Sequence, residues 1–223
     1  MNGEYDSEPV PGLPDYLPEG EALLWQGAPS WTAVARYVFH AGAVALYFAA
    51  LIAWRLGSAY SAGTDVTAAY TSALLVTAVA AAGLGLIALL SWLTSRTTIY
   101  SITSRRVVMR YGIAMPMSVN IPYTIIASAD LNTHRDGAGD VALTVTGNGK
   151  LAYFHLWPHA RPWHLTKTQP MLRCLAEPAA VANILSKAMH DAIPESERSL
   201  VAAPDAGSAS LELGNGHALA ATA

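Results

Sequence analysis

Charge is what this sequence has least of. Lys, Arg, Asp and Glu make up 13% of its 223 residues, about half the roughly 25% usual in globular proteins. The formal net charge is −3, and so small a basic content excludes nucleic acid as a general partner, because phosphate binding runs on Lys and Arg. Cysteine occurs once, at Cys174. That excludes an intramolecular disulfide framework and suits a reducing compartment. With no Cys-His signature around it, Cys174 is expected to be a buried structural thiol. There is no HExxH, no Ser-His-Asp order and no facing carboxylate pair. Gly83 and Gly85, like Gly137 and Gly139, lack the strand-loop-helix context and following Lys of a phosphate loop. No enzyme activity, metal or cofactor is therefore expected. The first 36 residues carry six acidic side chains before Arg36 and no basic start, so they are not expected to be a secretory signal.

What the chain has instead is two long uncharged runs. No Lys, Arg, Asp or Glu occurs from Tyr37 to Trp54 or from Ser72 to Leu93. At ~1.5 Å per helical residue these runs reach roughly 27 Å and 33 Å, enough to cross a hydrocarbon core about 30 Å thick. A buried helical hairpin in a soluble protein would carry a polar face, and neither run has a charged one. Tyr37, Trp54, Tyr60, Tyr70 and Trp92 lie near the ends of the runs, where such rings settle at headgroups. Arg36 before the first run, and Arg96, Arg105 and Arg106 after the second, are read as membrane anchors. Their excess over the connecting loop, about Leu56 to Thr71, predicts both termini in the cytoplasm.

Small residues recur every four positions in both runs: Ala41, Ala45, Ala49, Ala53 and Gly57, then Ala73, Thr77, Ala81 and Gly85. Such spacing lets helix backbones approach closely in lipid. Three readings stay open: a seam between the two spans, a seam with another membrane protein, or plain composition. His40 has two: a ligand for the magnesium of a chlorophyll, or an interfacial side chain bonded to water or backbone.

From Thr97 to about Leu165 the hydrophobic period becomes two. TTIYSIT, RRVVMRYG, SVNIPY, IIASADLNTHR, VALTVT and KLAYFHLW read as short strands. Asp136-Gly137-Ala138-Gly139 and Gly147-Asn148-Gly149 are turn signals. After Pro178 the period returns to helix, with Val181, Ile184, Leu185, Ala188 and Met189 on one face. The expected fold class is an α+β membrane protein: a two-helix transmembrane hairpin plus a cytoplasmic antiparallel β-barrel closed by a C-terminal helix, the pleckstrin-homology (PH)-like arrangement. The expected division is an acidic tail and interfacial lead-in over 1–36, the hairpin over 37–93, the PH-like domain over 97–192 and a disordered tail over 193–223.

The opening Pro18-Glu19-Gly20-Glu21 with Trp25-Gln26-Gly27-Ala28-Pro29, and the run Tyr100 to Arg110 followed by Gly112, resemble bacterial membrane-anchored PH-like proteins. Ser104 stands where those sequences often have Asp, and both residues can make the same local turn bond. The stretches Gly112–Pro116, Ile126–Leu131, His155–Trp163 and Pro170–Arg173 are more specifically similar to the PuhB family of assembly proteins for bacterial photosynthetic complexes. The likeness runs from about Pro11 to Ala192. It implies a factor that helps assemble the reaction centre and its core light-harvesting ring in a purple-bacterial membrane. Its implied partners are subunits of those complexes, with membrane lipid and a second copy of the chain as further partners.

Within the resemblance, Trp157, His159, Arg161 and Trp163 are candidate partner-interface residues, because aromatic and Arg side chains are enriched at interface hot spots. The competing reading has Trp157 and Trp163 closing the barrel end. His155, His159 and His164 lack the spacing and the Cys or carboxylate of a metal site. Three function classes follow: an assembly scaffold for pigment–protein complexes, a general membrane-anchored PH-like module that binds protein or lipid, and a bacteriochlorophyll carrier.

Overall fold

The computed structural model describes residues 12–13, 17–63, 65–146, 156–164 and 168–192. The Gly147-Asn148-Gly149 hairpin signal, most of the strand expected at Lys150–Trp157, His155 and both tails lie outside the described residues.

Strand β1 (Leu23–Gly27) comes first, in a segment whose sequence suggested only an apolar lead-in. A short helix α1 (Trp31–Ala33) then runs into a π-helical stretch, Val34–Val38. At His40 the backbone turns left-handed, with φ 54°. The first long helix therefore begins at Ala41, four residues later than the uncharged run suggested. This helix, α2 (Ala41–Ser61), is followed by α3 (Val66–Thr97). The connecting loop is far shorter than expected. Gly63 at φ 62° makes the turn, and the Asp65 carboxylate caps α3 by accepting from the amides of Thr67 and Ala68 at 3.1 and 3.3 Å.

Both helices are long and apolar enough to cross a membrane. A soluble core hairpin would hide its most apolar stretch, yet none of that stretch is buried in α2 and only 11% in α3. Ala73, Ala80, Ser91 and Thr94 are the buried residues of α3.

Strands β2 (Ile99–Thr103), β3 (Arg106–Tyr111) and β4 (Met117–Pro122) follow directly. They pair in sequence, and β1 pairs antiparallel with β2, Gln26 opposite Ser101 and Gly27 opposite Tyr100. The first sheet thus has the order β1-β2-β3-β4, with the helical hairpin inserted between its first two strands. A 3₁₀ turn at Tyr123–Ile125 carries the chain away. The second sheet is β5 (Ile126–Thr133), β6 (Gly139–Val145) and β7 (Met171–Leu175), in that order. Helix α4 (Pro178–Ala192) closes the chain.

The expected closed barrel is corrected here: among the described residues the strands form two separate antiparallel sheets. The 3₁₀ turn diverts the backbone before β5 can add beside β4. One backbone bond, Ser30 N–H to the Cys174 carbonyl at 2.8 Å, ties the segment after β1 to β7. A single core fills the space between the sheets. Tyr100, Ile102, Val107, Met109 and Ile121 meet Val141, Leu143, Leu172 and Leu175, and α4 covers them with Val181, Leu185 and Ala188. Each such side chain contributes roughly 1.5–3 kcal/mol by leaving water.

Candidate partner interface

The loop around residues 156–164 alternates inward and outward side chains. Leu156, His159 and Ala160 are buried, whereas Trp157 is 55% and Trp163 is 92% exposed. The loop is pinned from behind by β7: Met171 N–H donates to the His159 carbonyl at 2.8 Å, and Arg161 N–H to that of Gln169 at 2.9 Å. Trp163 has φ 67°, a conformation that costs an L side chain about 1–2 kcal/mol. Its ring gains no burial in return.

His159 has the opposite character. The hydroxyl of Tyr100 accepts from the Arg173 amide at 3.2 Å and shares a hydrogen bond with Nδ1 of His159 at 2.7 Å. Nε2 on the other side of the ring faces Thr98 Oγ1 at 3.3 Å. Burial, and then the charge of Arg173, push the imidazole down to about 3, so the ring is neutral. Burial also raises the Tyr100 hydroxyl. His159 therefore holds the loop to β2 from inside and presents nothing to a partner. Arg161 lies at the surface, paired with Asp130 at 3.0 Å and Gln169 at 2.9 Å. His164, the other described member of the three-His set, faces the Pro162 carbonyl at 3.0 Å.

Two cavities flank the loop. One, of about 210 Å³, opens between it and the end of α3. The other, of about 490 Å³, includes Tyr37, His134, Arg161 and Arg173 among its walls. Tyr37 stacks on His134 with ring centres 3.9 Å apart, so it docks the lead-in onto the second sheet. Asp140 supports that contact from below, accepting from His134 Nε2 at 3.1 Å and from the Cys174 amide at 2.8 Å. Cys174 is buried, and burial with the nearby Asp140 charge pushes its thiol up to about 12.

The other candidate residues are scattered. His40 is exposed, and its carbonyl accepts from Ala43 and Val44 at the start of α2. Ala45, Ala49, Ala53, Thr77, Ala81 and Gly85 are exposed, whereas Ala73, at the start of the second seam, is buried. Arg36 pairs with Asp136 at 3.5 Å. Arg96 sits over the Trp92 ring at 5.7 Å. Arg105 is exposed. Arg106 grips the carboxylate of Glu21 with two bonds, at 2.8 and 3.0 Å. Burial raises the Glu21 pKa, but the bonds from Arg106 and Thr103 outweigh it and hold the group below its ordinary value. Sequence reasoning missed Glu21 as the clasp between β1 and the β2–β3 turn, although it lay inside the Pro-Glu-Gly-Glu motif. It also missed Tyr111, whose buried hydroxyl has no partner among the described residues.

The model of the bacterial PH domain family matches residues 33–189. The chain belongs to that family. Domains of this kind are generally non-catalytic binding modules. The chain is also 40% identical, over 207 residues, to an uncharacterised 23.7 kDa protein in the puhA 5′ region of Rhodobacter capsulatus. That similarity covers 92% of this chain and 96% of the relative. No solved structure matches.

Proposed function

We propose that this bacterial PH domain protein is a membrane-anchored assembly factor for the photosynthetic reaction centre and its core light-harvesting complex, of the PuhB kind. The observation that carries this reading is the relative from the puhA region, a photosynthesis gene neighbourhood, which matches nearly end to end. The sequence likeness at Gly112–Pro116 and His155–Trp163 points the same way. In this reading α2 and α3 cross the inner, intracytoplasmic photosynthetic membrane and both termini are cytoplasmic. The exposed side of the loop meets a reaction-centre or light-harvesting subunit, or a second copy of the chain, with Trp157, Arg161 and Trp163 as contacts. The outward seams on α2 and α3 are then available to a transmembrane helix of the same client.

The test is a deletion strain complemented with wild type or with Arg161→Ala/Trp163→Ala. Both side chains are at the surface, so the double variant is expected to accumulate normally on immunoblots. Membrane absorbance is expected to show a reduced yield of core complexes. Normal complexes in the deletion strain itself would overturn the assembly role. A general membrane-anchored binding module with another client is the second reading, favoured by the family match alone.

A further inference from the structure

The two ends of the first sheet differ in character. At one end the turn between β2 and β3 is Ser104-Arg105, with Arg105 exposed and the Glu21–Arg106 pair beside it. At the other end the turn between β3 and β4 is Gly112-Ile113-Ala114-Met115-Pro116. Ile113 is 47% and Met115 is 75% exposed, and Ala114 and Pro116 are exposed as well. No charged residue occurs between Arg110 and Asp130. The turn is tight. Tyr111 already pairs with Met117, and Gly112, at φ 122°, has no Cβ to strike the Met115 carbonyl. Neither Ile113 nor Met115 joins the core. Apolar side chains grouped at one tip, with charge at the opposite tip, mark a contact surface rather than scattered exposure.

What the tip meets follows from where α3 ends. Strand β2 starts at Ile99, just after α3 ends at Thr97, so the sheet grows directly from the helix. β2 runs away from the helix end and β3 returns to it, with Arg110 opposite Ile99. Tyr111, Gly112 and Ile113 go past that point and line the 210 Å³ cavity together with Leu90, Thr94 and Thr97 of α3. The tip therefore lies beside the last turns of the helix, not beyond them. From Val66, at the hairpin turn, to Leu90 the helix rises ~36 Å, and to Thr94 ~42 Å. A hydrocarbon core is about 30 Å thick, and the bilayer with its interfacial regions about 40–45 Å. Leu90 and Thr94 thus stand in the far interfacial layer, and Ile113 stands with them. We propose that the β3–β4 turn is a membrane contact in its own right, with Ile113, Ala114 and Met115 seated in the interfacial layer of the bilayer beside α3. The charged Ser104-Arg105 end of the sheet then points to water. This inference rests on α2 and α3 crossing the membrane. It adds a second point at which the β-rich part is held to the surface, and two points set the tilt of the sheets above it.

The experiment uses the full chain in vesicles of phosphatidylethanolamine and phosphatidylglycerol. A thiol-reactive fluorophore is attached in four separate variants: Met115→Cys, Ala114→Cys, Arg105→Cys and Leu75→Cys. All four positions are exposed, so the labels leave the core intact. Cys174 is buried, and the wild-type chain taken through the same labelling measures any signal from it. Two quenchers are compared: iodide, present on both sides of the vesicle, and a phospholipid with a nitroxide on its acyl chain close to the ester. Fluorophores at Met115 and Ala114 are expected to escape iodide and to be quenched by the nitroxide lipid. At Arg105 the reverse is expected. Leu75 lies ~14 Å along α3 from Val66 and tests the span itself, with a nitroxide near the acyl methyl end expected to quench it. Iodide quenching at Met115 and Ala114 equal to that at Arg105 overturns the proposal. Shielding of both from iodide and nitroxide alike means that protein covers the tip, and overturns it too. Iodide reaching Leu75 would instead overturn the membrane-spanning reading beneath it.

Discussion

His159 carries the sharpest residue-level consequence. Its side chain is neutral in the fold and titrates near its ordinary value of about 6.5 once unfolded. Its contribution is complete above that pH and is lost as the pH falls from about 6.5 toward the folded value of about 3. The loss approaches ~1.4 kcal/mol per pH unit, or about 2 kcal/mol between pH 6.5 and 5. The Glu21 carboxylate is held below its ordinary range, so its clasp with Arg106 stays intact over that window. Thermal unfolding of the detergent-solubilised protein is expected to show the slope in wild type and a flatter one in His159→Gln. Equal slopes would mean that His159 is accessible to protons in the fold. The sequence put His159 among the interface candidates, because a His between Pro158 and Ala160 bears no local mark of which way its ring points. The orientation comes from Tyr100 and Thr98, some sixty residues earlier in the chain. Trp163 was equally open from sequence. Its 92% exposure removes the barrel-end packing that the competing reading required.

At the level of elements, the uncharged runs, the change of period at Thr97 and the amphipathic pattern after Pro178 were all legible. They are dictated by local repetition. The buried residues Val181, Leu185 and Ala188 of α4 fall on the face that the spacing gave. Strands β1 and β7 were not legible, because each owes its conformation to a partner distant in sequence, β1 to β2 and β7 to β6. Helix ends were misjudged for a related reason. Ser58, Ser61 and Thr71 read as loop residues, yet each donates its hydroxyl to a carbonyl three or four positions earlier and continues the helix. Adjacent alanines of α3 differ in burial. Ala80 is buried in the hairpin, while its neighbour Ala81 faces outward. Ala80→Leu is therefore expected to overpack the α2–α3 contact and cost about 1–3 kcal/mol. Ala81→Leu is expected to leave the stability of the isolated protein unchanged. Unfolding of both variants in micelles checks the contrast, and equal effects would mean that the helices meet on a different face.

Across the whole molecule, the long hairpin and the β-rich part are joined by more than a linker. Tyr37 stacks on His134, Arg36 pairs with Asp136, and Ala33 and Val34 pack on Cys174. Phe39, just before α2, meets Trp157 edge-on with ring centres 6.1 Å apart, and so adds the loop to these contacts. For topology, a reporter inserted after Gly63 is expected to behave as periplasmic and one after Leu213 as cytoplasmic. External labelling of residues beyond Arg96 in intact cells would reverse that assignment.

The position of β1 adds something that arginine counting does not. One strand of the first sheet is synthesised before the hairpin and its partner after it, and Leu23 must find Thr103 across both helices. If α2 and α3 cross a membrane as proposed, these two strands can meet only where the chain re-emerges on the side it left. A protein that threads one helix and strands the other leaves Leu23–Gly27 and Ile99–Thr103 on opposite faces of the bilayer, each with an unpaired edge. The sheet then cannot close, and Glu21 loses Arg106. On that proposal, closing this sheet requires an even number of crossings, because β1 and β2 must lie on the same side to pair.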